Sequence, residues 1–180
     1  MKFTSKEMAV TAVMTALICI LGPWAIQIPI SPVPITLCTM GIYFALYVLG
    51  MKLGIVSVVL YVLLGAIGVP VFTNFSGGIG KLLGPTGGYI LGYLFLAVIC
   101  GFFLSKFPEK LPMHVAGFVL GTLVLYLFGT LWLQYQLKLT FPTALMAGVI
   151  PYIPGDAAKL FIAIAVGLPL KKRLKKARLL

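Results

Sequence analysis

The segment MAVTAVMTALICIL, residues 8–21, contains no charge, proline or glycine, which favours an uninterrupted apolar helix. Five further apolar blocks follow it, and about 20 such residues suffice to cross a bilayer. The chain of 180 residues is 61% hydrophobic and 9% charged, whereas soluble domains carry roughly 25% charged residues. The sequence therefore predicts an integral membrane protein with little room for a soluble domain.

Proline, glycine and charged residues divide the chain into six candidate membrane spans. They lie near residues 8–26, 35–50, 53–68, 86–105, 113–136 and 155–170, and a basic tail follows at 171–180. The predicted fold class is all-α, with one transmembrane domain covering residues 1–180. The first span follows two lysines as a secretory signal would, but no convincing small-residue cleavage site follows it, and we expect it to be retained.

The distribution of basic residues predicts the orientation. Of the fourteen lysines and arginines, six lie in KKRLKKAR, residues 171–178. With this tail inside, the inner segments hold five further lysines and the outer loops hold two. Basic loops stay on the cytoplasmic side, so we expect both termini there. The net charge of +11 then indicates contact with the anionic lipid bilayer and not with nucleic acid.

The three outer connections, residues 27–35, 68–89 and 138–156, are rich in proline and glycine and yet largely apolar. Irregular backbone at membrane depth is tolerated only where it is buried in protein or lines a cavity. We therefore expect re-entrant outer loops that cover an outward-facing pocket.

The stretch IPGDAAKL, residues 153–160, holds one of only three acidic residues. We expect its proline and glycine to end the preceding structure, so that Asp156 begins a helix ending near Leu170. Such a helix is roughly 22 Å long, too short for ~30 Å of hydrocarbon, which places Asp156 and Lys159 below the outer surface. There Lys159 can bind an anionic group and Asp156 can accept N–H donors. Alternatively, Asp156 caps the helix and Lys159 neutralises it while reaching outward.

The second outer loop offers further candidate ligand contacts. Asn74, the only asparagine, supplies both a donor and an acceptor, although a local turn would also explain it. Tyr89 could hydrogen-bond to a ligand or stack on it, or belong to an interfacial aromatic belt. The glycines at which backbone could approach a ligand closely are Gly77, Gly78, Gly87 and Gly88.

Small side chains mark one further feature of the first span. Ala9, Ala12 and Ala16 are spaced so that another helix can approach closely. They predict either an internal packing seam or a surface for a partner protein.

Several patterns of catalytic sites are missing from the sequence. It has one histidine, His114, and three cysteines without disulfide or metal-site spacing. It also lacks paired carboxylates and a phosphate-binding loop. We expect no catalytic residues, no metal, no cofactor and no nucleotide site, and interpret the pocket as one that binds without reacting.

Three motifs in this order resemble one family: GAIGVPVF at 65–72, GG and GPTGGY at 77–78 and 84–89, and IPGDAAK at 153–159. Over nearly its whole length the chain resembles the BioY family, the biotin-specific S components of energy-coupling factor (ECF) transporters. The resemblance implies a six-helix protein of a prokaryotic plasma membrane that captures biotin from outside. It also implies docking on one transmembrane scaffold subunit and two ATPase subunits, which use the ATP.

The resemblance also implies residue roles. Asn74, Tyr89, Asp156 and Lys159 would line the biotin pocket, and the Ala12 and Ala16 pattern is similar to the alanine motif that contacts the scaffold. Biotin carries a cyclic urea and a carboxylate. Our working assignment sets Asp156 and Asn74 against the urea and Lys159 against the carboxylate, and the reverse assignment stays open.

Three alternative functions remain at this point. One is a self-sufficient facilitator or ion-coupled carrier of small solutes, which could act as a homo-oligomer. Another is an S component for a different vitamin, and the third is a small membrane enzyme.

Overall fold

A computed structural model describes residues 4–27 and 31–176, except for the side chains of Lys172 and Lys175, and is mostly helical. The helices are α1 Ser5–Leu21, α2 Cys38–Ala66, α3 Ile79–Leu83, α4 Gly87–Lys106, α5 Leu111–Leu137, α6 Phe141–Gly148 and α7 Ile153–Lys176. Among these residues, four helical segments are long and apolar enough to cross a membrane: Cys38–Ala66, Gly87–Lys106, Leu111–Leu137 and Phe141–Lys171. The protein is therefore a multi-pass helical membrane protein.

Helix α1 has a defined start and end. The Thr4 hydroxyl accepts from the Glu7 backbone N–H at 3.2 Å, and the Glu7 carboxylate accepts from the Thr4 N–H at 2.9 Å. This reciprocal cap satisfies two N–H groups that the helix leaves free. The helix ends at Leu21, before Gly22 and Pro23, five residues short of the predicted end of the first span.

Helix α2 folds back on itself at Gly50. This residue has φ 73° and ψ −169°, a backbone conformation that suits glycine. A Cβ placed on Gly54 would lie only 3.2 Å from the Cα of Leu46, although eight residues of continuous helix span about 12 Å. The two arms of α2 are therefore neighbours, joined at a tight turn.

Both arms of α2 pack along α1. In the first arm, Gly41 lies against Ile18, where a Cβ would approach the Ile18 Cα to 3.3 Å. In the second arm, the Ser57 hydroxyl donates to the Thr11 carbonyl oxygen at 3.4 Å. The two arms of the hairpin and α1 thus pack together as one three-helix group.

Helices α4 and α5 pack most closely, in antiparallel orientation. A Cβ on Gly88 would lie 2.2 Å from the Cβ of Trp132, and one on Gly121 would lie 2.7 Å from the sulfur of Cys100. Small residues at such crossings allow the close approach on which helix packing in membranes depends. Helix α7 packs against α2 and completes the wall around a central space.

Helix α7 differs from the sequence prediction at both ends. It begins at Ile153 and includes Pro154, because a proline in the first turn lacks only an N–H that has no helical acceptor. It continues through the basic tail to Lys176. Its 24 residues give about 36 Å, so the expectation of a helix ending near residue 170 and too short to cross the membrane is wrong. Asp156 does lie in the first turn.

The outer connections are more regular than expected. They contain α3 and α6, and α6 starts after Thr140 with a proline in its first turn. They also contain a two-stranded antiparallel ribbon of β1 (Ala25–Ile26) and β2 (Ile35–Thr36). The ribbon departs from a purely α-helical fold, and β2 begins directly after Pro34, whose fixed φ and missing N–H disfavour a helix through this loop.

Candidate ligand-binding site

A narrow cavity of about 40 Å³ lies between the helices. This volume is well below the range of about 300–1,000 Å³ that small-molecule sites span, so a ligand of that size needs the walls to move apart. Helices α2, α4, α5 and α7 form the walls, and the segment around β2 covers part of it. The lining residues are Val33, Pro34, Ile35, Thr36, Thr39, Tyr89, Tyr93, Leu125, Tyr126, Gly148, Tyr152, Asp156 and Lys159.

An ion pair lies on the α7 wall. Lys159 Nζ is 2.7 Å from Asp156 Oδ1, and the two side chains are only 9% and 13% exposed. They are three residues apart on one helix, which brings their side chains to the same face. Lys159 lines the cavity, so the alternative in which it reaches outward to solvent is wrong.

Tyr126 of α5 holds the other oxygen of this carboxylate. Its hydroxyl donates to Asp156 Oδ2 across the space between α5 and α7. Both carboxylate oxygens are thus engaged by side chains. Tyr126 was not among the predicted site residues, although it is the only polar residue in LVLYLF, residues 123–128. A lone polar side chain within an apolar helix could have identified it.

Two tyrosines of α4 form the opposite wall. The Tyr89 hydroxyl donates to the Gly148 carbonyl oxygen at 3.0 Å and lies 3.4 Å from the Thr130 hydroxyl. Tyr89 is 7% exposed, so it is not a residue of an interfacial belt. Tyr93 lies one turn further on the same face, and that spacing could have identified it from the sequence.

Thr39 brings a free hydroxyl to the cavity. It lies in the first turn of α2, is 5% exposed, and its Oγ1 has no hydrogen-bond partner among the residues that the structure describes. A buried polar group without a partner is costly. The Thr39 hydroxyl is therefore available to a ligand.

Tyr152 forms hydrogen bonds with the segment before β2, which covers part of the cavity. Its hydroxyl is in hydrogen-bonding contact with the Ser31 hydroxyl and the Val33 carbonyl oxygen. Ser31 in turn donates to the carbonyl oxygen of Ala147 in α6 at 2.6 Å. These hydrogen bonds join the first and third outer connections beside the cavity that Asp156 lines.

Asn74 lies elsewhere. It is exposed in a short 3₁₀ turn with left-handed φ 59° and ψ 39°, and its backbone N–H donates to the Pro23 carbonyl oxygen at 3.0 Å. The residue does not line the cavity as the structure describes it. Its backbone is that of a local turn, and its contact with a ligand stays a prediction.

The predicted glycines also pack away from the cavity lining. A Cβ on Gly77 would lie 2.4 Å from the Val69 carbonyl oxygen, and one on Gly87 would lie 1.7 Å from that of Leu82. These positions need glycine because other backbone passes close by. That a ligand contacts Gly77, Gly78, Gly87 and Gly88 stays a prediction.

The small residues of α1 lie on its exposed face, away from the other helices. Ala9, Ala12 and Ala16 are exposed, and the buried face of the helix carries Thr11, Thr15 and Ile18. The alanines therefore form no internal seam within the described chain. Their role as a partner surface remains a prediction.

The chemistry of the cavity suits a small ligand with both charged and apolar parts. Lys159 has N–H donors beyond the one that Asp156 takes, and the carboxylate retains free lone pairs. Tyrosine rings and aliphatic side chains supply apolar walls. Among the described residues, no group of three His, Cys, Asp or Glu side chains could hold a metal ion.

Fold and cavity together define a membrane-embedded helical protein whose cavity is lined by a charged pair. The model of the BioY family matches residues 1–176, and the chain belongs to this family. A biotin transporter BioY of Thermotoga maritima is 38% identical over 167 residues, which cover 93% of this chain and 96% of the relative. A biotin transporter BioY of Lactococcus lactis subsp. cremoris is 36% identical over 175 residues, 93% and 92% of the two chains.

A solved structure agrees with this relationship. It is described as the S-component for biotin from an ECF-type ABC transporter, and it superposes with a TM-score of 0.87 at 34% identity. The match covers 95% of both chains. The similarity therefore extends over the helices, the outer connections and the cavity walls together.

Proposed function

We propose that this protein is the biotin-binding S component of an ECF transporter, which captures biotin from outside and passes it to an ATP-driven complex. The observation that carries the proposal is the buried pair of Asp156 and Lys159 on the wall of a small cavity. Such a pair is expensive to place in a membrane and marks a functional site. The names of the relatives support biotin as the substrate.

Biotin matches the groups in the cavity. Its carboxylate pairs with the remaining donors of Lys159, and its urea N–H groups donate to free lone pairs of Asp156. Its thioether ring packs between Tyr89 and Tyr93. Asn74 reaches the urea only if the second outer connection moves toward the cavity, since its side chain is exposed and outside the cavity lining.

The proposed topology has six membrane crossings with both termini in the cytoplasm of a prokaryotic cell. The turn at Gly50 supports counting the two arms of α2 separately. The outer connections act as re-entrant loops that cover the cavity, and the Tyr152 contacts with the first connection support this arrangement. Labelling of single cysteines from each side of intact cells tests the orientation.

Transport requires partners in this proposal. Ligand binding alone shifts an equilibrium only by its differential affinity for two states, and the energy comes from ATPase subunits through a transmembrane scaffold. The exposed Ala9, Ala12 and Ala16 are the proposed docking surface. An Ala12→Trp variant is expected to bind biotin normally and to lose copurification with the scaffold; unchanged copurification would remove this surface from the proposal.

Calorimetry of biotin binding to the purified protein tests the central step. We expect saturable binding by the wild type and severe loss in Asp156→Asn and Lys159→Ala, while exposed Lys138→Ala binds normally as a matched control. Well-folded wild-type protein that does not bind biotin would refute the assignment. Uptake into liposomes by the protein alone would instead support a self-sufficient carrier, and chemical turnover of the ligand would support an enzyme.

A further inference from the structure

A second cavity lies between α5 and α7, at the surface of the helix bundle. We call it the lateral cleft; its volume is about 760 Å³ including the mouth. One wall carries Val119 and Leu123 of α5, and the other carries Ile153 and Ala157 of α7. These two helices are not among the pairs that pack extensively. The cleft is therefore a gap in the helix bundle.

The depth of the cleft decides which medium it meets. Both walls belong to segments long and apolar enough to cross a membrane, and Val119 and Leu123 lie near the middle of α5. Leu123 is 56% exposed and Ile153 is 52% exposed. At this depth the surroundings are hydrocarbon, so the cleft opens toward lipid tails.

Each polar side chain on the floor of the cleft already has at least one hydrogen-bond partner. Asp156 accepts from Tyr126. The Thr122 hydroxyl bonds to the Tyr43 hydroxyl at 2.7 Å and donates to the Phe118 carbonyl oxygen at 2.8 Å. An occupant of the cleft therefore needs to offer no hydrogen bonds, and dispersion contacts with the apolar walls favour an aliphatic chain.

Size argues against a helix of another protein as the occupant. The cleft extends along α5 from Val119 to Tyr126, about 10 Å at the helical rise, and a helix of that length and 10–12 Å diameter fills about 800–1,100 Å³. The cleft holds less, even with its mouth included. A single alkyl chain, with carbon atoms about 4 Å from their neighbours, fits between the walls.

We infer that the lateral cleft is a binding site for one phospholipid acyl chain. The chain lies between α5 and α7 and packs against the ring of Tyr126. Tyr126 and Asp156 line both this cleft and the central cavity, so their hydrogen bond is the partition between the bound lipid and the polar site. The inference does not depend on the identity of the ligand in the central cavity.

Neighbouring alanines of α7 provide a matched test. Ala157 and Ala158 are both exposed, and only Ala157 lines the cleft. Full-length protein is stripped of lipid in detergent, titrated with dioleoylphosphatidylcholine, and examined by native mass spectrometry. We expect the wild type and Ala158→Phe to retain one lipid through activation that removes all others. In Ala157→Phe, which fills the cleft, the retained fraction should fall about tenfold, equivalent to 1.4 kcal/mol.

A photoactivatable phosphatidylcholine with a diazirine in one acyl chain then locates the contact. Labelled peptides containing residues 119–126 and 153–160 support the inference. Equal lipid release from the wild type and Ala157→Phe would overturn it, and so would labelling spread evenly over the membrane face. Displacement of the lipid by biotin would also overturn it, because the cleft would then be an extension of the central cavity. A stable dimer closed through Ala157 would replace the lipid with a second copy.

Discussion

The role of Lys159 can be tested by a thermodynamic cycle of binding free energies, in which both the protein and the ligand are varied. Lys159→Met removes the ammonium and keeps most of the aliphatic stem, and biotinamide removes the negative charge of biotin and keeps its urea and ring. A single variant would be ambiguous, because Lys159 also pairs with Asp156 at 2.7 Å. Removing it leaves a buried carboxylate uncompensated, which costs about 3–5 kcal/mol in buried pairs.

The magnitude follows from the charge on both partners. A hydrogen bond between charged groups contributes about 1.5–3 kcal/mol, so wild-type protein should prefer biotin over biotinamide by roughly 10- to 150-fold. Lys159→Met should bind both ligands more weakly, because Asp156 is disturbed in both cases. The ratio of the affinities for biotin and biotinamide should fall to near one, since only the carboxylate of biotin loses a charged partner.

Isothermal titration calorimetry on both proteins with both ligands gives the four dissociation constants. Exposed Lys138→Met controls for the loss of a positive charge outside the cavity and should keep the wild-type preference. A coupling free energy below about 0.5 kcal/mol, within ordinary additivity, would refute the carboxylate assignment. In that case Lys159 would interact with the urea carbonyl or serve only to pair with Asp156.

Three further changes test the surroundings of the site. Tyr126→Phe removes a hydrogen bond to a charged carboxylate and should lower the stability of the ligand-free protein by about 1.5–3 kcal/mol in detergent unfolding; unchanged stability would contradict that bond. Tyr43→Phe loses a 2.7 Å bond to a threonine of α5 and should cost about 1 kcal/mol, whereas Tyr47→Phe should be neutral or stabilising, because the buried Tyr47 hydroxyl has no partner among the described residues. The opposite order would show that Tyr47 is bonded. Thr39→Val should leave stability unchanged and weaken biotin binding by calorimetry, roughly 2- to 10-fold for a neutral hydrogen bond; full affinity would exclude Thr39 from ligand contact.

The sequence was informative about the pair on α7 because helical spacing is local. Asp156 and Lys159 share a face whichever neighbours the helix finds, and their charge in an apolar stretch indicated a site. The ends of α7 were less predictable. Proline and glycine near its start break a helix when they lie in its interior, but they are tolerated in its first turn. At the other end, no local signal distinguishes a basic helical tail from an extended one.

The walls of the cavity could not be derived in the same way. Tyr126 meets Asp156 at a sequence separation of 30 residues, and Tyr89 meets Gly148 at a separation of 59. Such pairings depend on which helix faces meet. The side of α1 that carries its alanines was undecided for the same reason, and the structure exposes Ala9, Ala12 and Ala16.

The sequence by itself determined the membrane character, the helical class and the charged pair of α7, because composition and helical period act over one or two turns. Only the tertiary structure decided the hairpin at Gly50, the hydrogen bond from Tyr126 to Asp156, the place of the Thr39 hydroxyl in the cavity and the gap between α5 and α7. In a bilayer, helices gain little from hiding apolar surface from one another. Their arrangement is therefore decided by side-chain fit and a few polar contacts between residues far apart in the chain.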